Sequence, residues 1–458
     1  MSGLEATEVT FSEVLEENKI FRIDSQYFLR DDIFLLQKLH EVGCYPVASI
    51  ARVTDGIHES IRFDETSGVR LVSAKSVREN IFDFADPEFI SKEQHTANAR
   101  TSLRAGDVIV SSVGTIGNCA VVEKQHLPAN ADRHVGIIRA GKKVPAEFLS
   151  TFLLSKFGRF QTRREATGSV QLNLFIIKIN ALKIASFTDE FMRTVADQVR
   201  KATSILKRQN EIIEAAEALL FSGLGLLEWK PNDEPTCSRS ASEVFHAERF
   251  DAEYFRPSYQ SLIALLRRQG KKLRDVARLR ETVFTPQPGQ PFHYIEIGDL
   301  AADGAATSNV VPGEEAPSRA TWIVQSGDVI TSTVRPNRCL TGLIEPEQAG
   351  SICSSGFAVL TPKGIPGELL FAYLRLPVIC ELMDLHTTAS MYPAISTTDL
   401  MRLPFLLPDD ATIKKVKQQI TTARAARREA HALLEKAKQA VEVAIEKNEA
   451  AGMAVLKD

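Results

Sequence analysis

The sequence contains fragments of several catalytic and metal-binding patterns, but it completes none of them. Its nine histidines show no H-E-x-x-H spacing and its six cysteines no C-x-x-C pair. Residues 136–143 match a phosphate-binding loop at all defining positions except the last. Lys143 stands there in place of the Ser or Thr that would hold magnesium. Asp409, Asp410 and Lys414 resemble a nuclease cluster, but acids at the start of a helix act as caps. With no N-P-P-Y, D-P-P-Y or G-x-G-x-x-G motif either, we predict no catalytic residue, no metal site and no cofactor.

The composition is that of an ordinary globular protein. The chain has 458 residues, of which 44% are hydrophobic and 25% charged, which is enough for two large domains or three smaller ones. The cysteines are scattered, which indicates a reducing compartment. No apolar run is long enough to span a membrane, and the acidic first ten residues do not resemble a secretion signal. We therefore predict a cytoplasmic protein with no membrane partner.

The charge is unevenly distributed along the chain. The formal net charge is −3, but residues 1–32 alone carry −5, so the remainder is slightly basic. Residues 155–183 hold six Lys or Arg against one acid, and residues 410–448 hold nine against five. Such local patches can bind phosphates whatever the net charge. Since many charge runs are only solvated surfaces, the patches permit DNA binding without establishing it.

The chain contains an internal duplication. Residues 105–113 match residues 326–334 at an offset of 221, with six of nine positions identical. Further blocks recur in the same order at almost the same offset. They comprise R-x-D-x-x-Y-F at 22–28 and 249–255, 144–149 and 365–370, 167–171 and 388–392, and 182–184 and 403–405. A series of ordered matches at nearly constant spacing indicates two copies of one unit.

Each copy is predicted to have the same order of elements. An amphipathic helix (28–39; 259–268) precedes short β-branched runs such as 107–113 and 328–334. A second helix follows, with Pro145 and Pro366 expected in its first turn, and a long helix closes each copy. The fold class is therefore α+β, with two similar strand-rich domains.

The closing helices have apolar residues at spacings of three and four over four heptads, which is the signature of a coiled coil. The two sets are again related by 221, so we expect the helices to pair with each other rather than pack on separate cores. Gln209 and Arg427 interrupt the pattern at different layers, where they can fix the register. The predicted coiled-coil residues are Met192, Val195, Val199, Leu206, Ile213 and Leu220 in the first helix, and Ile413, Val416, Ile420, Leu434 and Val441 in the second.

These patterns divide the chain into five segments. The predicted boundaries are 1–188 for the first domain, 189–222 for the first long helix, 223–245 for a linker, 246–408 for the second domain and 409–450 for the second long helix.

The repeated order of G-D-V-I-x-S-x-V, T-G-S-x-Q and a long helix resembles the specificity subunit of type I restriction-modification enzymes. The resemblance covers roughly residues 20–448, and its strength lies in the order and duplication of motifs that are individually short. It implies that the strand-rich domains are target recognition domains, each reading one half of a bipartite DNA site. It also implies that the long helices pair antiparallel as a spacer and that the chain itself is non-catalytic. The implied partners are double-stranded DNA and two methyltransferase subunits; whether restriction subunits join the complex stays open.

Helix geometry agrees with such a spacer. Residues 192–220 would form a helix of about 42 Å, against about 34–36 Å for one turn of B-DNA. Two domains at opposite ends would meet one DNA face about a turn apart. Since the copies have diverged, we expect two different short sequence blocks with an unread gap.

The candidate DNA contacts are polar residues near the repeated strand and in the loop that follows. Gln and Asn can bond adenine bidentately, and Arg can do so to guanine. In the second copy, residues 335–338 (R-P-N-R) replace 114–117 (G-T-I-G), which is expected if the copies read different bases. The candidates are Ser111, Ser112, Thr115, Arg133, His134, Arg163, Arg164, Ser169, Gln171 and Asn173, and then Ser332, Thr333, Arg335, Arg338, Thr388, Ser390 and Tyr392.

Two other interpretations stay open. The chain could be the specificity subunit of another DNA modification or phage-defence system, which would have the same fold. In a different functional class, it could be a scaffold whose duplicated domains bind two copies of a protein and no DNA. The motif D-x-x-Y-F, at 24–28 and 251–255, is expected to be structural, because aromatic pairs at a helix entrance usually pack on the core.

Overall fold

A computed structural model describes residues 8–16, 22–84, 87–168, 171–230, 234, 236–247, 249–388 and 391–457. The chain forms two compact units. Unit 1 comprises residues 1–206 and 427–458, and unit 2 comprises residues 207–426. The division falls inside both long helices, so each unit contains half of each. The five segment boundaries predicted from the sequence stay a prediction.

The helices lie mostly before and after the strand-rich part of each unit. Among the described residues they are α1 (Phe11–Glu16), α2 (Arg30–Val42), α3 (Lys92–Ala97), α4 (Ala146–Leu154), α5 (Lys156–Glu165), α6 (Ile176–Ala181), α7 (Asp189–Gly223), α8 (Ala241–Ala247), α9 (Pro257–Leu266), α10 (Leu273–Val276), α11 (Gly367–Arg375), α12 (Pro377–Leu385), α13 (Thr397–Arg402), α14 (Asp410–Glu446) and α15 (Glu449–Lys457).

The strands are short, most of them three to six residues. They are β1 (Cys44–Pro46), β2 (Ala51–Asp55), β3 (Val69–Val72), β4 (Glu88–Ile90), β5 (Asp107–Ser111), β6 (Cys119–Val121), β7 (Ala129–Ala131), β8 (Val135–Ala140), β9 (Lys183–Ala185), β10 (Ala277–Leu279), β11 (Phe292–Ile295), β12 (Asn309–Val311), β13 (Ala320–Ile323), β14 (Val329–Ser332), β15 (Thr341–Leu343), β16 (Ile352–Ser354), β17 (Phe357–Pro362), β18 (Thr387–Thr388) and β19 (Ala394–Ile395).

Unit 1 is built on two small sheets. The strands β2-β8-β5-β6 form an antiparallel sheet in which Ile109 lies opposite both Ile137 and Ala120. The second sheet has the order β4-β3-β7, and its strands β3 and β7 run parallel. The strand β5 is buried along its whole length, which explains why its centre is a continuous β-branched run, Val108-Ile109-Val110, rather than an alternating pattern.

Unit 2 repeats this arrangement. The strands β10-β17-β14-β15 form an antiparallel sheet in which Ile330 lies opposite Val359 and Gly342. A second sheet has the order β12-β11-β16-β13, with β11 and β16 parallel. Ile109 and Ile330, which the sequence offset of 221 relates, thus occupy the same place in corresponding sheets. The duplication predicted from the sequence is present in the fold.

The long helices α7 and α14 pair antiparallel within each unit. In unit 1, the amide of Thr188, at the start of α7, donates to Oε1 of Glu449, beyond the end of α14, at 2.9 Å. In unit 2, Gly223 at the end of α7 lies against Thr412 at the start of α14. Apolar side chains of both helices share one buried core in each unit. The predicted fold class, two strand-rich α+β domains with a pair of antiparallel long helices, is confirmed.

The residues predicted for the coiled coil all lie on these two helices. All of them are buried except Ile413, which is partly buried against the core of unit 2. Gln209 is also buried, and its Nε2 donates to Asp303 at 3.2 Å, while Arg427 is only partly buried. The helices extend three to five residues beyond the ends of the predicted apolar pattern.

Two local predictions need small corrections. Pro145 and Pro366 are the N-cap residues of α4 and α11 rather than members of the first turn, because each holds an extended backbone just before the helix. The strand predicted over 107–113 ends at Ser111, where the chain turns to pair with a later loop. Within the described part of the chain, no helix is long and apolar enough to cross a membrane.

Candidate nucleic-acid interface

In unit 1 the end of β5 is paired with loop A (residues 167–173). Val113 and Asn173 form an antiparallel bridge, and the amide of Leu174 donates to the Ser112 carbonyl at 2.9 Å. Loop A closes on itself through two hydrogen bonds between the backbones of Thr167 and Asn173, at 3.0 and 2.8 Å. The fold therefore places the predicted contacts of loop A next to the turn that follows β5.

Unit 2 holds the corresponding loop B (residues 387–395) in the same way. Val334 and Ala394 form the bridge, and the strands β18 and β19 close the loop. These residue numbers are those of the corresponding residues of unit 1 plus 221. This pairing brings the guanidinium of Arg335 to 5.5 Å from the centre of the Tyr392 ring, and Tyr392 corresponds to Gln171 of unit 1.

Four of the residues predicted to contact DNA are buried beneath loops A and B. The hydroxyls of Ser111 and Ser332 donate to the carbonyls of Val113 and Val334, at 2.9 and 2.8 Å. The amides of Ser112 and Thr333 donate to the carbonyls of the neighbouring strand end, at 3.0 and 2.9 Å. These four side chains are fully or almost fully buried. They hold the loops in place, and none presents its hydroxyl at the surface.

The side chains that do reach the surface differ between the two units. In unit 1 they are Thr115, Arg133, Arg163 and Gln171, with His134, Arg164 and Asn173 partly buried; in unit 2 they are Thr388 and Tyr392, with Arg335 and Arg338 partly buried. Ser169 and Ser390 lie outside the described residues.

The turn 132–134 lies at the same edge of unit 1. The Asp132 carboxylate accepts hydrogen bonds from the amide and Nδ1 of His134, at 2.9 and 2.8 Å. The His134 carbonyl accepts the amide of Ser112. Arg133 is exposed beside this turn, so it is one of the surface cations nearest to the end of β5.

Sequence reasoning missed two further exposed side chains at this edge. His58 and Arg100 both bind Asp55, and Ile57 pairs with Asp132. Partial burial raises the pKa of Asp55, but the hydrogen bonds from His58 and Arg100 outweigh it and hold that pKa below its usual value. The side chains of His58 and Arg100 are 63% and 51% exposed. They stand in no repeated motif, so only tertiary pairing reveals them.

Unit 2 has a comparable missed residue. The carbonyl of Arg319 accepts the amide of Ser355 at 2.8 Å, and Ser355 occupies the position related to His134 by 221. Arg319 is exposed. It therefore adds a cation to the corresponding edge of unit 2.

The basic pair Arg163-Arg164 is engaged within unit 1. The Arg164 guanidinium lies 3.9 Å from the centroid of the Tyr27 ring, and its Nε donates to the Tyr27 carbonyl at 2.9 Å. Arg163 forms an ion pair with the buried carboxylate of Asp32. Burial raises the pKa of Asp32, and the nearby Arg163 charge opposes this shift. Both arginines thus tie helix α5 to the N-terminal part of the unit.

The motif R-x-D-x-x-Y-F forms the same clamp in both units. Arg22 bonds Asp24 at 2.7 Å and the Arg164 carbonyl at 2.7 Å, and it lies 4.9 Å from the centre of the Tyr27 ring. In unit 2, Arg249 bonds Asp251 at 2.6 Å and the carbonyl of Leu385 at 3.1 Å. Leu385 is related to Arg164 by 221. The motif is structural, as predicted.

The described residues contain no group of three or more His, Cys, Asp or Glu side chains that could hold a metal ion.

Comparison with known proteins returned matches among solved structures only. No family model matches the chain, and no curated protein matches it. The chain is similar to the S subunit of a type I restriction-modification system from M. genitalium, with 11% identity, a TM-score of 0.37, and coverage of 88% of this chain and 95% of that one. It is also similar to the HsdS subunit from Thermoanaerobacter tengcongensis, with 16% identity, a TM-score of 0.29, and coverage of 89% and 96%.

A third similar structure is described as the structural basis of complex assembly and conformational transition of the type I R-M system. It shows 16% identity and a TM-score of 0.28, and the match covers 89% of this chain and 97% of that one. Because all three TM-scores are below 0.5, we assign no residue of this chain from these matches.

Proposed function

We propose that this chain is a non-catalytic DNA sequence-specificity subunit of a type I restriction-modification complex. One observation carries the proposal: loops A and B are held by the same hydrogen bonds beside corresponding strands, yet they expose different side chains. Two domains that recognise different base sequences require the same backbone arrangement with different exposed side chains. Each unit then reads one half of an asymmetric bipartite site.

The exposed side chains suit the recognition of base edges and phosphates. In unit 1, the amides of Gln171 and Asn173 can bond adenine, and Arg133 is available for guanine or a phosphate. In unit 2, Arg335 and Arg338 supply guanidinium groups, and Thr388 and Tyr392 offer hydroxyls and an aromatic face. Arg319 is exposed and adds positive charge that suits a phosphate backbone to the edge of unit 2. In unit 1, His58 and Arg100 are bonded to the Asp55 carboxylate and add hydrogen-bond donors to the edge.

The long helices give the proposed site its gap. Helix α7 has 35 residues, which corresponds to about 52 Å, and helix α14 is slightly longer. In the proposed function, the paired long helices set the number of unread base pairs between the two blocks.

The proposed partners are double-stranded DNA and two methyltransferase subunits, within a complex that acts in the cytoplasm and to which restriction subunits can be added. The chain would contribute recognition, and its partners the chemistry. A specificity subunit of another modification or phage-defence system would show the same DNA binding. The genes adjacent to its own would distinguish the two.

The experiment is a binding titration of the full chain, purified with whatever proteins accompany it from its own cell, against mixed-sequence duplex DNA at several salt concentrations. We expect binding that weakens linearly in log–log form as salt rises, because phosphate contacts release counterions. We also expect no magnesium-dependent cleavage by the chain alone. Absence of DNA binding while a methyltransferase is visibly present in the preparation would overturn the proposal.

A scaffold that binds only proteins is the second candidate, because of apolar exposure beside loop A. The side chains of Leu172, Phe175 and Ile177 are 47%, 54% and 75% exposed. The residues at these three positions in unit 2 are Pro393, Ser396 and Thr398, so this apolar surface is not repeated at the same positions there. If the titration shows no DNA binding, this surface becomes the first place to look for a protein partner.

A further inference from the structure

Arg335 has a backbone conformation that residues with a side chain rarely adopt. Its φ is 50° and its ψ is 63°, in the left-handed region. The corresponding residue of unit 1 is Gly114, with a φ of 71°. Glycine adopts this conformation without a steric penalty, whereas a Cβ atom makes it unfavourable. Unit 2 has therefore kept the turn and yet carries an arginine at its strained position, which indicates a role for the side chain.

The side chain of Arg335 is held against loop B. Its guanidinium carbon lies 5.5 Å from the centroid of the Tyr392 ring, and its Nη2 lies 3.5 Å from the carbonyl oxygen of Met391. Its own amide donates to the Pro393 carbonyl at 2.8 Å. Met391 and Tyr392 are 76% and 66% exposed, so this arrangement lies at the surface.

Two other arginines near the sheets, one in each unit, are neutralised by carboxylates. Arg280 binds Asp328 at 2.6 Å, and Arg139 lies 3.5 Å from Asp107. Among the described residues, no carboxylate pairs with Arg335. A guanidinium that rests on an aromatic face keeps its in-plane N–H donors free for a ligand.

We propose that Arg335, positioned by Tyr392, reads one guanine in the half-site of unit 2. A guanidinium edge matches the O6 and N7 acceptors of guanine in the major groove, and the ring beside it fixes the plane of the fork. Unit 1 has Gly114 at this position, so its half-site has no guanine read in this way. The inference rests on the proposed function and adds the base, the residue that reads it and the residue that positions it.

The test compares the DNA sequences selected from a random duplex pool by the wild-type chain and by Arg335→Gly, each with its co-purifying partners. The glycine variant restores the residue of unit 1, so it should fold with an unchanged or higher Tm. In the wild type, we expect one guanine that is preferred over other bases by roughly fivefold to 150-fold, which corresponds to the usual 1–3 kcal/mol of a bidentate contact. In the variant, this preference should vanish, while every preference in the block read by unit 1 is unchanged.

Further variants test the geometry. Arg335→Lys keeps the charge but not the fork, so it should lose most of the guanine preference. Tyr392→Phe should keep the preference, since the ring remains, and Tyr392→Ala should weaken it. A duplex with 7-deazaguanine at the selected position lacks the N7 acceptor, so it should bind more weakly to the wild type and equally well to Arg335→Gly.

The other outcomes separate the claims. If Arg335→Gly weakens binding equally for all sequences and lowers the slope of the salt dependence by about one, Arg335 contacts a phosphate and the inference is wrong. If nothing changes, Arg335 does not contact DNA, and the inference is also wrong, although the proposed function stands. If the wild type enriches no sequence, the proposed function is wrong. The inference about Arg335 is then wrong as well, because it depends on that function.

Discussion

At the scale of single residues, the position of a polar group in the repeat does not show whether it faces solvent. The identical serines of the two G-D-V-I-x-S motifs, Ser111 and Ser332, are buried and bond to the chain two residues ahead. The sequence shows their identity and spacing. It cannot show that the next segment folds over them, because that depends on loops A and B, which are some 60 residues away in the chain.

Arg164 provides a residue-scale prediction, since its charge serves the stability of unit 1. Replacement by alanine removes the stacking on the Tyr27 ring and the hydrogen bond to its carbonyl, so we expect a loss of about 2 kcal/mol in the free energy of unfolding. Urea unfolding monitored by circular dichroism measures this loss. Arg52→Ala, at an exposed arginine of the same unit, is the matched control and should change stability by less than about 0.5 kcal/mol. Equal effects of the two substitutions would contradict the structural role of Arg164.

His126 gives unit 1 a sensitivity to acid. Its Nδ1 accepts the amide of Glu123 at 3.0 Å. Its ring packs against Phe82 and Phe84, and this burial, with a smaller contribution from the Arg70 charge, lowers the pKa of His126 to about 4, from 6.5. As the pH falls, His126 therefore takes up a proton in the unfolded chain at a higher pH than in the folded chain. The stability associated with the neutral ring is complete above pH 6.5 and is lost as the pH falls from 6.5 towards 4.

The corresponding prediction is that His126→Gln flattens this part of the stability profile. The free energy of unfolding of the wild type should fall between pH 7 and pH 4.5 by about 2 kcal/mol more than that of the variant, which has no proton to take up. Urea titrations of both chains at a series of pH values provide the measurement. Parallel profiles would show that His126 is not the group responsible.

At the scale of elements, loop A depends on one glycine. Gly168 has a φ of 142°, and a Cβ atom there would overlap the carbonyl oxygen of Gln171. Substitution by alanine must therefore open the loop, although the sheet beneath it keeps its own core. We expect Gly168→Ala to abolish the sequence preference of unit 1 and to leave that of unit 2 intact.

Selection from a random duplex pool reports both preferences in one experiment. The matched control is Gly43→Ala, which also places a side chain at a positive φ in unit 1 but meets no atom within 4 Å. The control should keep both preferences. If Gly168→Ala keeps them as well, loop A does not read DNA.

Periodicity made the long helices the most predictable elements. An apolar pattern over four heptads needs no knowledge of the rest of the chain, and the buried positions of α7 and α14 follow it. The short helices were less predictable: the opening helices begin at Arg30 and Pro257 instead of the predicted 28 and 259. Their ends are set by contacts with later segments, such as those of Tyr27 with Arg164, which no local pattern contains.

At the scale of the whole molecule, the duplication was the strongest prediction, and it extends to individual hydrogen bonds. The bridges Val113–Asn173 and Val334–Ala394 are related by 221, and the clamps around Tyr27 and Tyr254 repeat the same contacts at an offset of 227. The surface of the proposed site was less predictable. Backbone pairing between distant segments brings His58, Arg100 and Arg319 to this surface, whereas Arg163 and Arg164 are engaged in ion-pair and aromatic contacts within unit 1.

The most direct test of the central claim is the selection of duplexes from a random pool by the wild-type chain with its co-purifying partners, followed by sequencing. We expect two different enriched blocks separated by one fixed number of unconstrained base pairs. The blocks correspond to the two loops, and the fixed gap corresponds to the paired helices. A single enriched block would contradict the presence of two recognition domains. Two blocks at variable spacing would contradict a spacer of fixed length. No enrichment at all would contradict sequence-specific DNA recognition itself.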